Sequence, residues 1–141
     1  MDLASRTALV TGGGSGFGAG IARAFAAAGA RVAVADIDGA AAAAVAAEIG
    51  GVALTVDVSD GASVEAVARD AEAALGPLDI LVNNAGITHA PAPLEEVPEE
   101  AFDRVFAVNA KSVYLTARAL VPGMKARGRG AILNVASTAG L

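Results

Sequence analysis

The sequence contains no cysteine, a single histidine, a single tyrosine and four phenylalanines. Without thiols there can be no disulfide, no thiolate nucleophile and no cysteine-based metal site, and no metal centre is expected. With aromatics at 4% of 141 residues, a core has to be built from small and branched aliphatic side chains. Charge is sparse and leans acidic, with 10 Lys and Arg against 15 Asp and Glu for a formal net charge of −5. That balance offers no clustered basic surface of the kind nucleic acid requires, so no nucleic-acid partner is expected. No run of 18 apolar residues occurs, because Arg23 and Arg31 interrupt the longest candidate and Glu48 closes the alanine run. No membrane span is therefore expected. The opening Met1-Asp2-Leu3-Ala4-Ser5-Arg6 carries no secretory pattern, and the expected location is cytoplasmic.

What is abundant is apolar sequence, at 55%, punctuated by 17 glycines. Short β-branched runs alternate with longer helical periodicities, the signature of βαβ units and a parallel sheet. Strands are predicted at Thr7–Val10, Arg31–Ala35, Val52–Val56, Leu78–Val82 and Ala131–Ala136. Their near-continuous apolar character suits a sheet covered on both faces. Between them, Phe17, Ile21 and Phe25 recur every four residues on one face of a helix that Gly29 closes. Ala40–Ile49 is a second helix, stopped by Gly50-Gly51, and Val64, Val67, Ala68, Ala71 and Leu75 mark a third that Gly76-Pro77 ends. Pro98, Glu99 and Glu100 open a fourth, whose Phe102, Val105, Phe106 and Asn109 share a face expected to point inward. A fifth helix spans about Ser112–Ala126, with a kink or weakening expected at Pro122. Lys125, Arg127 and Arg129 read as a solvated helix terminus. No linker, repeat or second domain is evident, and one domain is expected over residues 1–141.

The first strand-to-helix turn reads Thr11-Gly12-Gly13-Gly14-Ser15-Gly16-Phe17-Gly18. Gly12 permits the tight turn, Gly16 lets backbone approach a pyrophosphate, and Gly18 lets the helix pack close to the sheet. The helix N-terminus then presents N–H groups to the phosphates. Ser15 and Phe17 lie in the same loop and are expected to share in cofactor binding. Asp36, at the end of the second strand, stands where a carboxylate accepts hydrogen bonds from ribose hydroxyls and repels a 2′-phosphate. The expected cofactor is accordingly NAD, with NADP disfavoured. The alternative is that Asp36 merely begins a turn with Asp38-Gly39.

At this point the chain resembles the short-chain dehydrogenase/reductase family. The resemblance rests on an ordered set of motifs: Thr11-Gly12-x-x-x-Gly16-x-Gly18, Asp57-Val58, Asn83-Asn84-Ala85-Gly86, Asn109 and Ser137. It implies a Rossmann-like doubly wound parallel sheet, with the five strands present in the order 3-2-1-4-5 and two more to follow in such enzymes. It also implies that Asp57 and Val58 contact the adenine, that Asn84, Ala85 and Gly86 line the cofactor ribose, and that Ser137 and Asn109 are catalytic. Ser137 would orient a substrate carbonyl, and the Asn109 backbone carbonyl would hold a water in a proton relay. A plainer role for Asn109 is to cap or bend its helix.

In that family a Tyr follows the catalytic Ser by about a dozen residues and a Lys follows the Tyr by four. Neither falls within the sequence, which ends at Leu141. Tyr114 is followed four residues later by Arg118, so it is assigned to packing or a subunit contact, and His89 to an ordinary loop. The implied function is hydride transfer between NAD(H) and a secondary alcohol or ketone, such as a sugar, a cyclic alcohol or a 3-oxoacyl substrate. The 141 residues alone are expected to be inactive, with an exposed fifth strand as an aggregation liability. The full-length enzyme is expected to form a homo-oligomer. A stand-alone dinucleotide-binding module and one half of a two-chain assembly are the competing readings.

Overall fold

The computed structural model describes residues 2–137. The expected domain span of 1–141 therefore runs beyond the described residues at both ends. Elements alternate as β1 (Thr7–Thr11), α1 (Gly16–Ala27), β2 (Arg31–Asp36), α2 (Gly39–Ile49), β3 (Val52–Thr55), α3 (Gly61–Leu75), β4 (Ile80–Asn83), α4 (Glu99–Phe106), α5 (Ser112–Ala126) and β5 (Ala131–Asn134). The strands form one parallel sheet in the order β3-β2-β1-β4-β5. The chain thus steps outward from β1 to β3, then returns past β1 to begin β4, and the carboxyl ends of β1 and β4 flank the reversal. The expected Rossmann-like doubly wound fold and strand order are what is observed.

Strand alternation divides the core between the two faces of the sheet. Leu9, Ala33, Ala35 and Leu81 turn to one side, where Val64, Val67 and Leu75 of α3 and Leu115 and Leu120 of α5 meet them. Val10, Val32, Val34 and Val82 turn to the other, against Ala19 and Ala22 of α1 and Ala42, Val45 and Ala46 of α2. Small helix residues let α1 and α2 lie close to the strands, as the aromatic-poor composition requires.

Several expectations need correction. Leu78 is fully buried but precedes β4, and β5 ends at Asn134 rather than Ala136. Helix α5 spans Ser112–Ala126 as expected, with Pro122 inside it. The α4 face does not enter the core: Phe102 and Phe106 are 50% and 55% exposed and stack on each other with ring centroids 4.6 Å apart. Their spacing recorded a mutual contact along one helix instead of burial. The cations after α5 are not all solvated. Arg127 donates to the Leu78 carbonyl at 2.7 Å. Arg129 Nε lies 3.0 Å from Oδ1 of the buried Asp79, an ion pair at contact distance whose N–H is not aligned as a hydrogen bond. Both residues tie the entry of β5 to the entry of β4.

Further up, Asn83 donates to Asn134 Oδ1 and accepts from the buried Thr116 hydroxyl, each at 2.8 Å. This joins β5 and α5 to β4. Even so, every residue of β5 is exposed, and Ile132 and Leu133, on opposite faces, are 42% and 45% exposed. An edge strand with apolar side chains on both faces is a template for pairing with another chain. Replacing Leu133 with Lys is expected to lower self-association, read as reduced light scattering and a later gel-filtration peak at high concentration. Unchanged scattering would show that β5 does not drive association.

Candidate functional site: a dinucleotide-shaped cleft

A cleft of about 380 Å³ opens beyond the carboxyl ends of the strands, beside the β1/β4 reversal. In open parallel sheets this is where ligands bind. Gly12, Ser15, Gly16, Phe17, Asp36, Asp57, Val58, Asn84, Ala85 and Gly86 all line it. Gly18 does not; it acts beneath the loop. A Cβ there would collide with the Gly12 carbonyl oxygen and the Asn84 side chain, so only glycine lets α1 start this close to the turn. Gly12 has φ +62°, and a Cβ on it would stand 2.8 Å from Ala85 Cα.

The loop is held by two side chains. The buried Thr11 hydroxyl donates to the Val82 carbonyl at 3.2 Å and accepts from the N–H groups of Asn84 and Ala85 at 3.1 and 3.2 Å. The Asn84 amide donates to the carbonyls of Thr11 and Gly12 at 3.1 and 3.0 Å. Each strand end thereby satisfies polar groups that the other's turn leaves open.

Helix α1 differs from its neighbours at its N-terminus. Asp38 caps α2 through the N–H groups of Ala40 and Ala41, and Asp60 caps α3 through Ser63 N–H. Ser15 makes no side-chain cap on α1, and no acidic residue stands in its first turn. The open donors and the positive end of the dipole are left facing the cleft, a setting suited to an anion. Asp36 receives Gly14 N–H on Oδ2 at 2.9 Å and Asp38 N–H on Oδ1 at 3.0 Å. The turn-starting role weighed from the sequence is therefore real. A carboxylate has about four acceptor sites, so capacity for a ligand hydroxyl remains.

Asp57 Oδ1 accepts from both the hydroxyl and the N–H of Ser59, at 2.6 and 2.9 Å. The Ser59 hydroxyl bond first, then its N–H, hold this carboxyl below its ordinary range against the opposing effect of burial, with the positive charge of Arg104 adding the least. Ser59 and Arg104 both line the cleft, as do Ile37, Ile87 and Val108. Sequence reasoning missed these. Ser59, two residues after Asp57, is a readable local turn signal, whereas Arg104 reaches the cleft only through the tertiary fold.

Asn109 lies in a π-helical turn, Ala107–Lys111, between α4 and α5. It faces outward, contrary to the inward orientation expected, because the wider turn breaks the α-helical spacing. Its amide is nonetheless fully engaged, accepting Ile87 N–H at 2.9 Å and donating to Ile87 carbonyl at 2.8 Å. It thus fixes the cleft wall after Gly86. The buried Ser112 hydroxyl closes the turn on the Val108 carbonyl. Ser137 is exposed beyond β5 on the same rim of the sheet and is not among the cleft-lining residues. His89 is exposed with Nδ1 2.7 Å from its neighbour's carbonyl, and Tyr114 is 59% exposed beneath Arg118. Among the described residues, no helix is long and apolar enough to cross a membrane, and no group of His, Asp and Glu could hold a metal ion.

The family model described as "short chain dehydrogenase" matches residues 6–141. The chain belongs to the short-chain dehydrogenase family. It is 46% identical over 138 residues to a 2-dehydro-3-deoxy-L-rhamnonate dehydrogenase (NAD(+)) of Sphingomonas sp. strain SKA58, covering 97% of this chain and 55% of that protein. A 3-ketoacyl-(acyl-carrier-protein) reductase from Brucella melitensis, solved with NADH, is 50% identical with a TM-score of 0.92, covering 97% of this chain and 59% of that one. A structure from Brucella melitensis 16M described as ribose-5-phosphate isomerase is 40% identical with a TM-score of 0.95, covering 99% and 54%. The chain therefore spans little more than half the length of these relatives.

Two outcomes test the site's construction. Replacing Thr11 with Val strands two part-buried N–H groups and is expected to destabilise the fold by about 1–3 kcal/mol in urea unfolding; no loss would remove the hydroxyl from the account. Replacing Ser59 with Ala is expected to raise the Asp57 pKa toward the ordinary carboxylate value, read by NMR titration of its carboxyl. Because the folded-state pKa is depressed, the associated stability is present above pH about 4 and disappears as pH falls through the depressed value. Asp57 is solvent-exposed, so that contribution is screened and small.

Proposed function

We propose that this chain binds NAD(H) in the cleft and forms the cofactor-binding part of a dehydrogenase acting on a secondary alcohol or ketone. The observation that carries the reading is the uncapped N-terminus of α1 beside a carboxylate at the end of β2, with the glycine loop held open between them. The pyrophosphate would meet the N–H groups of Gly16–Gly18, and Asp36 would accept from the adenosine ribose hydroxyls. Asp57 and Val58 would border the adenine, and Asn84, Ala85 and Gly86 the nicotinamide ribose. Bound there, the dinucleotide supplies or accepts the hydride.

Turnover also requires a proton donor or acceptor within hydrogen-bond reach of the substrate oxygen. No Tyr, Lys or His is among the described residues that line the cleft. In this reading the 141 residues alone bind cofactor without turning substrate over. Ser137 orients the carbonyl in the whole enzyme, and Asn109 serves by anchoring Ile87. The relatives' names, a sugar-acid dehydrogenase and a 3-ketoacyl reductase, support an alcohol–ketone pair without choosing between them.

The test is a fluorescence titration with NADH and NADPH. NADH is expected to bind more tightly, and Asp36→Ala to weaken it about ten-fold or more while relieving the discrimination against NADPH. Tighter binding of NADPH by the unaltered chain would overturn the cofactor preference.

A further inference from the structure

The cleft contains two carboxylates, Asp36 and Asp57, and among its described lining residues a single cation, Arg104. Arg104 stands in the last turn of α4, which runs without a break into the π-helical turn Ala107–Lys111. Its charge acts on Asp57, whose Oδ1 is already committed to Ser59. Around the two charges the walls are apolar, formed by Ile37, Val58 and Val108. Ile37, one of these wall residues, is 67% exposed and leaves its aliphatic face open to a ligand.

A slot with aliphatic walls and a planar cation at its edge fits an electron-rich aromatic ring, because guanidinium stacks on ring faces in a way that an ammonium does not. Resting on the cofactor reading above, we propose that Arg104 is a specificity-determining residue that covers the adenine ring. The arrangement also offsets the negative charge that a pyrophosphate adds to a cleft with two carboxylates.

Dissociation constants for NADH and for ADP-ribose, measured by fluorescence and calorimetry, test the proposal on the unaltered chain, Arg104→Ala and Arg104→Lys. Thermal unfolding checks that both variants are folded. Arg104→Ala is expected to weaken NADH and ADP-ribose alike, by about three- to ten-fold. Arg104→Lys, which keeps the charge but not the plane, is expected to lose nearly as much. Unchanged ADP-ribose binding in Arg104→Ala would overturn the assignment, and full rescue by Arg104→Lys would reduce Arg104 to a point charge and overturn the stacking. Failure of the unaltered chain to bind either ligand would overturn the cofactor reading itself, and this inference with it.

Discussion

One hydroxyl and one amide connect the two halves of the sheet where they part. Thr11 ends β1 and Asn84 follows β4, and between them they satisfy three backbone groups on the β4 side of the divide and two on the β1 side. Everything in the cleft is positioned relative to this junction. The path of the glycine loop depends on the carbonyls that Asn84 holds, and the start of α1 depends on the loop. Gly18 is the steric counterpart of the same contact, since the space a side chain would need is filled by Gly12 and Asn84. Polar bonds and exclusion of a Cβ thus specify one geometry from two directions.

Around that junction the helices divide between self-sufficiency and openness. Asp38 and Asp60 cap first-turn N–H groups of α2 and α3 from within their own segments. Helix α1 has the same orphan donors and no such cap. Of the three helices that follow β1, β2 and β3, only α1 leaves its first-turn donors without a side-chain cap, and those donors face the cleft. Asp36 sits at the far side of the same loop, with both oxygens partly engaged and both still able to accept.

The strand pattern, the strand order and the glycine loop were legible because each is local: period-two apolar runs, a turn that needs positive φ, an acidic residue at a strand end. What was not legible is long-range. Phe102 and Phe106 have the spacing of a core face, yet the sheet offers them no partner and they pack on each other. Asn109 follows in that pattern, but a π-helical turn inserts an extra residue per turn and swings it outward to Ile87. Arg127 and Arg129 have the composition of a solvated helix end, and only the return of the chain beside Asp79 gives them partners. Arg104 carries no signal at all until α4 is laid beside the end of β3.

The alanines that pave the sheet give the interior an asymmetric tolerance. Ala8, Ala22, Ala33, Ala35, Ala42 and Ala71 are fully buried, with backbone or branched side chains immediately beyond. Such positions have almost no volume to lose, so truncation, the usual hazard of a core, hardly applies to them. Enlargement is the hazard instead: one added methylene pushes a helix off the sheet, and α1 and α2 carry the loops that shape the cleft. Substitutions tolerated without strain in this interior are those no bigger than alanine, so the loops of the rim rest on a floor that has no slack.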